Sequence, residues 1–153
     1  MKISEHITYA EACHSTTAKR LGIPNIPNEY EMWNMVVLAT YIFEPLRKWV
    51  GGAIKINSFF RSRELNKAIV GASSKSQHCE GRAIDIDDCY GHKTNAEMFE
   101  YIKANLDYDQ LIWEFGDDSN PDWVHISYVD QDSNRKRNLR AYRENGGTVY
   151  KEI

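Results

Sequence analysis

Two histidines and a carboxylate carry the strongest chemical signal in this sequence. His78 lies near the start of the stretch SQHCEGRAIDIDD, residues 76–88, and Asp85 follows seven residues later. The segment from Ala83 to Asp87 alternates apolar and polar residues, a strand pattern. On such a strand Ile84 and Ile86 point one way, and Ala83, Asp85 and Asp87 the other. A strand that turns carboxylates to a face it could have filled with valine needs solvent there or a charged partner. His125 sits in a second apolar strand segment, WVHISYV, and shares a face with Trp123 and Ser127. Two histidines, one aspartate and an open fourth position make a catalytic zinc site. Zinc accepts imidazole and carboxylate ligands and lowers the pKa of water towards ~7.

A site of this kind also needs a carboxylate that is not a ligand, to take a proton from water. Two residues qualify. Asp122 stands three residues before His125, and Glu114 ends the apolar run QLIWE. Their bland readings are a turn residue after Pro121 and a strand-end surface charge. A donor for the developing oxyanion is available in Arg61 or Arg63, after the strand INSFF. Asp87 shares the face of Asp85 and either orients a ligand or is simply solvated. Gly81 and Ala83 read as clearance for a turn that brings His78 back over Asp85. His6, His14 and His92 lie in contexts that suit surface histidines. Cys79 adjoins His78 and would point away from it in an extended chain. Three cysteines, Cys13, Cys79 and Cys89, without framework spacing, read as reduced thiols.

The elements that must position these groups are legible in outline. Residues 1–28 read as a lead segment of short helices, with Thr8 and Glu11 as a capping box, Ser15 as a second cap and Gly22 as a stop. Residues 29–50 form the strongest helix signal, capped by Asn28 and ended by Gly51-Gly52, with an apolar surface broad enough to imply a long helix largely buried by the sheet. Pro45 should kink it. Strands are expected over 53–58, 83–87, 110–115 and 123–129. Short helices are expected around 64–69 and over 95–105, the latter capped by Thr94 with Met98, Phe99 and Ile102 inward. Residues 137–143 and 148–153 read as a terminal hairpin around Asn145-Gly146-Gly147. One α+β domain over residues 1–153, with a mainly antiparallel sheet, is the economical architecture.

The 153 residues suffice for one core without staples. Hydrophobic residues at 42% and charged residues at 27% mark a globular chain. A net charge of −3 argues against a general nucleic-acid binder. The N-terminus MKISEHITYAEA lacks the apolar region of a signal peptide, and no window reaches the ~18 apolar residues of a membrane span. A soluble protein made in the cytosol is therefore expected.

The motif Ser76-x-His78-x-x-Gly81-x-Ala83-x-Asp85 resembles the signature of the zinc D-Ala-D-Ala carboxypeptidases and dipeptidases of peptidase family M15. Trp123 to Ser127 is similar to that family's second histidine motif. Ser58 to Arg61, followed by Ser62 and then Leu65-Asn66, resembles its substrate-arginine segment, with Phe59-Phe60 in place of the usual Gly-Tyr and expected to narrow the substrate groove. The lead segment resembles the phage and prophage subgroup. The core around His78 also resembles the signalling domain of Hedgehog proteins, which share the fold and the zinc site without digesting cell walls. The resemblance implies a Hedgehog/DD-peptidase-like α+β fold and one Zn²⁺ held by His78, Asp85 and His125. It makes Arg61 the residue that binds and polarises the substrate carbonyl, and places Ser76 close to the substrate. It favours Asp122 as general base by position, with Glu114 as partner or rival, since the Hedgehog carboxylate ends the preceding strand. It implies hydrolysis of peptidoglycan stem peptides by a carboxypeptidase or an L-Ala-D-Glu-type endopeptidase. A monomer, released to the wall as a phage lysin or carried on a virion, is the implied context. The alternative is a non-catalytic zinc-structured domain that binds a cell-wall peptide or a protein partner.

Overall fold

The computed structural model describes residues 1–153. In chain order the elements are β1 (Lys2–Ser4), β2 (Ile7–Thr8), α1 (Tyr9–Ala12), α2 (Thr16–Leu21), α3 (Glu29–Leu38), a π-helical turn (Ala39–Phe43) and α4 (Glu44–Val50). There follow β3 (Lys55–Ser58), α5 (Arg63–Ala68), a 3₁₀ turn (Gln77–Glu80), β4 (Ala83–Asp87), α6 (Asn95–Asn105), β5 (Gln110–Glu114), β6 (Trp123–Ser127), β7 (Arg137–Glu144) and β8 (Gly147–Glu152). Six strands form one sheet in the order β3-β4-β6-β5-β7-β8, and every pairing except the parallel β5–β7 is antiparallel. The fold is α+β, as the alternating strands and separate helices of the sequence imply. No helix is long and apolar enough to cross a membrane.

Local signals act where the sequence places them. Thr8 and Glu11 close a capping box on α1, Ser15 caps α2, and Gly22 ends it in the left-handed conformation. Thr94 and Glu97 do the same for α6, whose Met98, Phe99 and Ile102 are buried. Asn145 and Gly146, both with positive φ, form the two-residue turn between β7 and β8, the geometry that matches strand twist.

Two expectations need correction. The lead segment is not helical throughout, because β1 and β2 form a small antiparallel sheet. These strands are too short to show a periodicity. They are held from a distance by Glu44, which accepts hydrogen bonds from Ser4 Oγ (2.6 Å), His6 N (2.8 Å) and His6 Nδ1 (2.7 Å). Nor is 29–50 one long buried helix. Met35, Leu38, Ala39, Ile42, Phe43 and Leu46 are buried, but Trp33 is 65% exposed and Tyr30 and Tyr41 also face solvent. The helical run is interrupted by the π turn just ahead of Pro45. Proline has no N–H to give to the carbonyl four residues back and its ring crowds that carbonyl. A widened turn accommodates both faults.

The core lies between the helices and the sheet face carrying Ile84, Ile86, Leu111, Trp113, Val124 and Ile126. Each such large apolar side chain contributes roughly 1.5–3 kcal/mol on full burial, so this face anchors the sheet and leaves its opposite face free for polar groups. Gly81 shows how closely α3 approaches the turn before β4. Its φ is +72°, and a Cβ there would stand 2.3 Å from the Glu31 carbonyl oxygen. The clearance read from the sequence is thus clearance against the backbone of α3.

Candidate metal centre and active site

The free face of the sheet is built by strand register. Asp85 on β4 lies opposite His125 on β6, His125 opposite Ile112 on β5, and Trp123 opposite Glu114. Directly opposed residues point to the same side of a sheet, so Asp85, His125 and Glu114 share one face. Ser58 is brought opposite Asp85 by an irregularity in β3 after Ile56, a device that re-aims a strand end.

His78 comes from the 3₁₀ turn that precedes β4. Ser76 caps that turn, its Oγ accepting from the His78 N–H at 3.3 Å. The ring is oriented from behind, with Nδ1 2.8 Å from the Phe59 carbonyl oxygen. Nδ1–H donates to that carbonyl and aims Nε2 at Asp85, where it carries a proton in the metal-free chain and would offer its electron pair to a metal. His78 Nε2 lies 3.2 Å from Asp85 Oδ2, and His125 Nδ1 lies 2.8 Å from Asp85 Oδ1. The three ligand atoms are all within 4.8 Å of one another. A tetrahedral metal with bonds of ~2.0–2.1 Å would place its ligand atoms at comparable spacing, so the donor set fits a metal ion. His78 is 3% and Asp85 9% exposed. Burial by itself would raise the Asp85 carboxyl, but the His78 charge and the hydrogen bonds from both imidazoles hold it far below the usual carboxylate range.

Glu114 is 5% exposed on the same face. Burial is the main cause that pushes its carboxyl up to about 7. His125 acts against that rise, and Asp85 adds to it. Asp122 is exposed. It precedes β6 by one residue, and its backbone N–H donates to the Glu114 carbonyl at 2.9 Å. It lies in the turn outside β6, where strand alternation does not set the direction of its side chain.

Arg61 is secured beside the ligands. Its backbone N–H donates to the His78 carbonyl at 3.2 Å, and its guanidinium donates to Asn66 Oδ1 at 3.2 Å and Ser58 Oγ at 3.5 Å. Arg63 is exposed on the first turn of α5. A groove of about 420 Å³ runs along this edge, lined by Arg61, Ser58, Asn57, Lys55 and His14 among others. Phe59 and Phe60 are both buried in the core; Phe59 does not line the groove, whereas Phe60 does. Asp87 accepts from Asn95 Nδ2 at 2.8 Å, and the same amide donates to the carbonyls of Pro121 and Asp122. Asp87 therefore holds the turn that leads into β6, a role that neither of its sequence readings captured. Cys79 is buried beside the site yet outside the ligand cluster, its thiol pushed up by burial. Glu5, His6 and Glu44 form a second cluster of ligand-type groups, but there Glu44 is already engaged in tying down the β1–β2 hairpin.

A protein-family model described as Peptidase M15 matches residues 5–127. The chain belongs to peptidase family M15. No curated protein matches it. As an M15 member the chain is a peptidase-family protein whose substrate class is peptides, and its His/Asp cluster suits the metal of a metallopeptidase. The match ends at Ser127, the last residue of β6. The β7–β8 hairpin of this M15 chain therefore lies beyond the matched residues.

The position of Glu114 predicts a pH effect in the metal-free protein. Its carboxyl has a folded-state value of about 7, against an ordinary 4.5. Both folded and unfolded chains carry the proton below pH 4.5. Above pH 7 the folded chain alone holds a charge in a dry place. Stability should therefore fall between those values, by up to about 3 kcal/mol relative to Glu114→Gln. Urea unfolding of both chains at pH 5 and pH 8 with a chelator present checks this. Equal pH dependence would mean that the carboxyl is hydrated.

Proposed function

We propose that this protein is a zinc metallopeptidase that hydrolyses stem peptides of bacterial peptidoglycan, with one zinc held by His78 Nε2, Asp85 and His125. The observation that carries the reading is the convergence of these three groups with an unligated, buried carboxylate, Glu114, on one sheet face of an M15 chain. When bound, zinc supplies Lewis acidity, which acidifies water and polarises a peptide carbonyl.

The chain's own groups do the rest. Glu114 takes the proton of the attacking water and returns it to the leaving amine. Its placement on the His125 face favours it over Asp122, the position preferred from sequence likeness. Arg61, fixed by Asn66 and Ser58, presents its N–H groups to the substrate carbonyl and to the charge that develops on it. Ser76 holds the His78 turn and lies at the edge of the site. The groove lined by Lys55, Ser58 and Arg61 lies beside the His/Asp cluster, and an extended peptide would run along it to reach Arg61. The likeness of the lead segment to phage and prophage members extends the proposal to a lysin that reaches the wall from inside the cell or on a virion.

Mass spectrometry of purified peptidoglycan digested with zinc-loaded protein tests the reading, because it reports activity and the bond cut in one measurement. Release of D-alanine would make it a carboxypeptidase, and release between L-Ala and D-Glu an endopeptidase. Zinc-loaded protein that binds muropeptides and releases nothing would instead be the non-catalytic binding domain.

A further inference from the structure

The terminal hairpin contributes a residue to this face that no sequence motif marks. β7 pairs parallel to β5 with Ala141 beside Glu114, and β8 pairs antiparallel to β7 with Tyr150 opposite Ala141. Trp123, Glu114, Ala141 and Tyr150 thus form one row across four strands, on the side that carries Asp85 and His125. Ala141 is fully buried and small, and leaves the space above it to the tyrosine. Tyr150 is 53% exposed, as befits a residue at the rim of a cleft. Its phenol makes no hydrogen bond within the chain and, on an exposed residue, is free to donate to a bound molecule. Burial is the first cause that raises the phenol in the metal-free chain, and Glu114 and Asp85 add to it, so the tyrosine senses the carboxylates of this face.

Resting on the peptidase reading above, we propose that Tyr150 is a substrate-contacting residue, its phenol donating a hydrogen bond to the bound peptide on the side of the cleft opposite Arg61. Arg61 follows β3 at one edge of the sheet, and Tyr150 stands on β8 at the other. The metal ligands on β4 and β6 lie between them. Three strand spacings separate β6 from β8, roughly 14 Å, so the contact falls on a substrate group away from the reacting bond rather than on the bond itself. This subsite is built by a hairpin outside the family-matched residues, so it is a property of this chain rather than of the shared metal motif.

The test separates this contact from the parent reading. Binding of the synthetic pentapeptide L-Ala-γ-D-Glu-L-Lys-D-Ala-D-Ala is measured by calorimetry on zinc-loaded Glu114→Gln protein, with and without Tyr150→Phe. kcat/KM is measured on muropeptides with the Glu114 chain. Tyr150→Phe should weaken binding about fivefold, the loss of one hydrogen bond, and lower kcat/KM to match, with zinc content unchanged. Tyr150→Ala should bind no better than Tyr150→Phe. Unchanged binding and kcat/KM in Tyr150→Phe, beside an active wild type, overturn this proposal alone. The same holds if only Tyr150→Ala shows a loss, since the ring and not the hydroxyl would then be in contact. Wild-type protein that neither binds nor cleaves the peptide overturns both.

Discussion

Glu114→Gln should keep its zinc and lose peptide hydrolysis by at least ~10²-fold in kcat, while Asp122→Asn stays within a few-fold of wild type. The two carboxylates differ in what surrounds them. Glu114 is buried on the face shared by Asp85 and His125, and the electrostatics of its carboxyl respond to both. A base must be within reach of the proton that it removes, and strand register places Glu114 on the face of Asp85 and His125. In the metal-free chain burial also raises its pKa to about 7, the direction that favours accepting a proton. Asp122 is exposed and belongs to the turn, where its backbone N–H supports the end of β5. Glutamine preserves size and removes the exchangeable charge, so the comparison isolates proton transfer from packing. Zinc per chain and single-turnover rates on muropeptides read the outcome. The reverse pattern, with Asp122→Asn inactive and Glu114→Gln near wild type, would transfer the role to Asp122.

Asp85→Ala should weaken zinc binding by more than the ~10–100-fold typical of changes outside the ligand set, and abolish hydrolysis with it. Asp85 is the central member of the cluster, because each histidine approaches a different oxygen of its carboxylate. Removing it leaves two imidazoles facing each other edge to face, 5.2 Å between centroids, with no anion to balance a dication. The loss should also be visible as stability. Zinc that binds only the folded state adds about 2.7 kcal/mol when present at a hundred times its Kd, and the variant should show no such gain. Competition titration against a chelator gives the affinity, and thermal unfolding with and without zinc gives the linkage. His78→Ala should behave likewise. Retention of one tightly held zinc by Asp85→Ala would sink the assignment. A matching loss in His6→Ala would then direct attention to the Glu5, His6 and Glu44 cluster.

The candidate ligand residues stood out in the sequence because their chemistry conflicts with their local setting. A carboxylate inside an alternating strand and a histidine inside an apolar one each need an explanation that the local sequence does not supply. Helix caps were legible for the opposite reason, since Thr8 with Glu11, and Thr94 with Glu97, act within one turn. The β1–β2 pair was not legible, because it depends on Glu44, nearly forty residues away. The break in the helical run was only half legible. Pro45 announced a fault, but whether the chain would kink or widen into a π turn depended on packing the buried face from Met35 to Leu46 against the sheet.

The sequence by itself determined which residues could bind a metal and which faces of the strands they occupy, because side-chain alternation along a strand is local geometry. It left Asp122 and Glu114 as rivals, and it left Tyr150 without a role. Only the tertiary structure decided those placements. The pairing of β5 with β6 turns Glu114 to the His125 side, and the parallel pairing of β5 with β7 carries Tyr150 onto the same row. Strand register is set by contacts between distant segments, so the groups that surround the His/Asp cluster are defined by the assembled sheet.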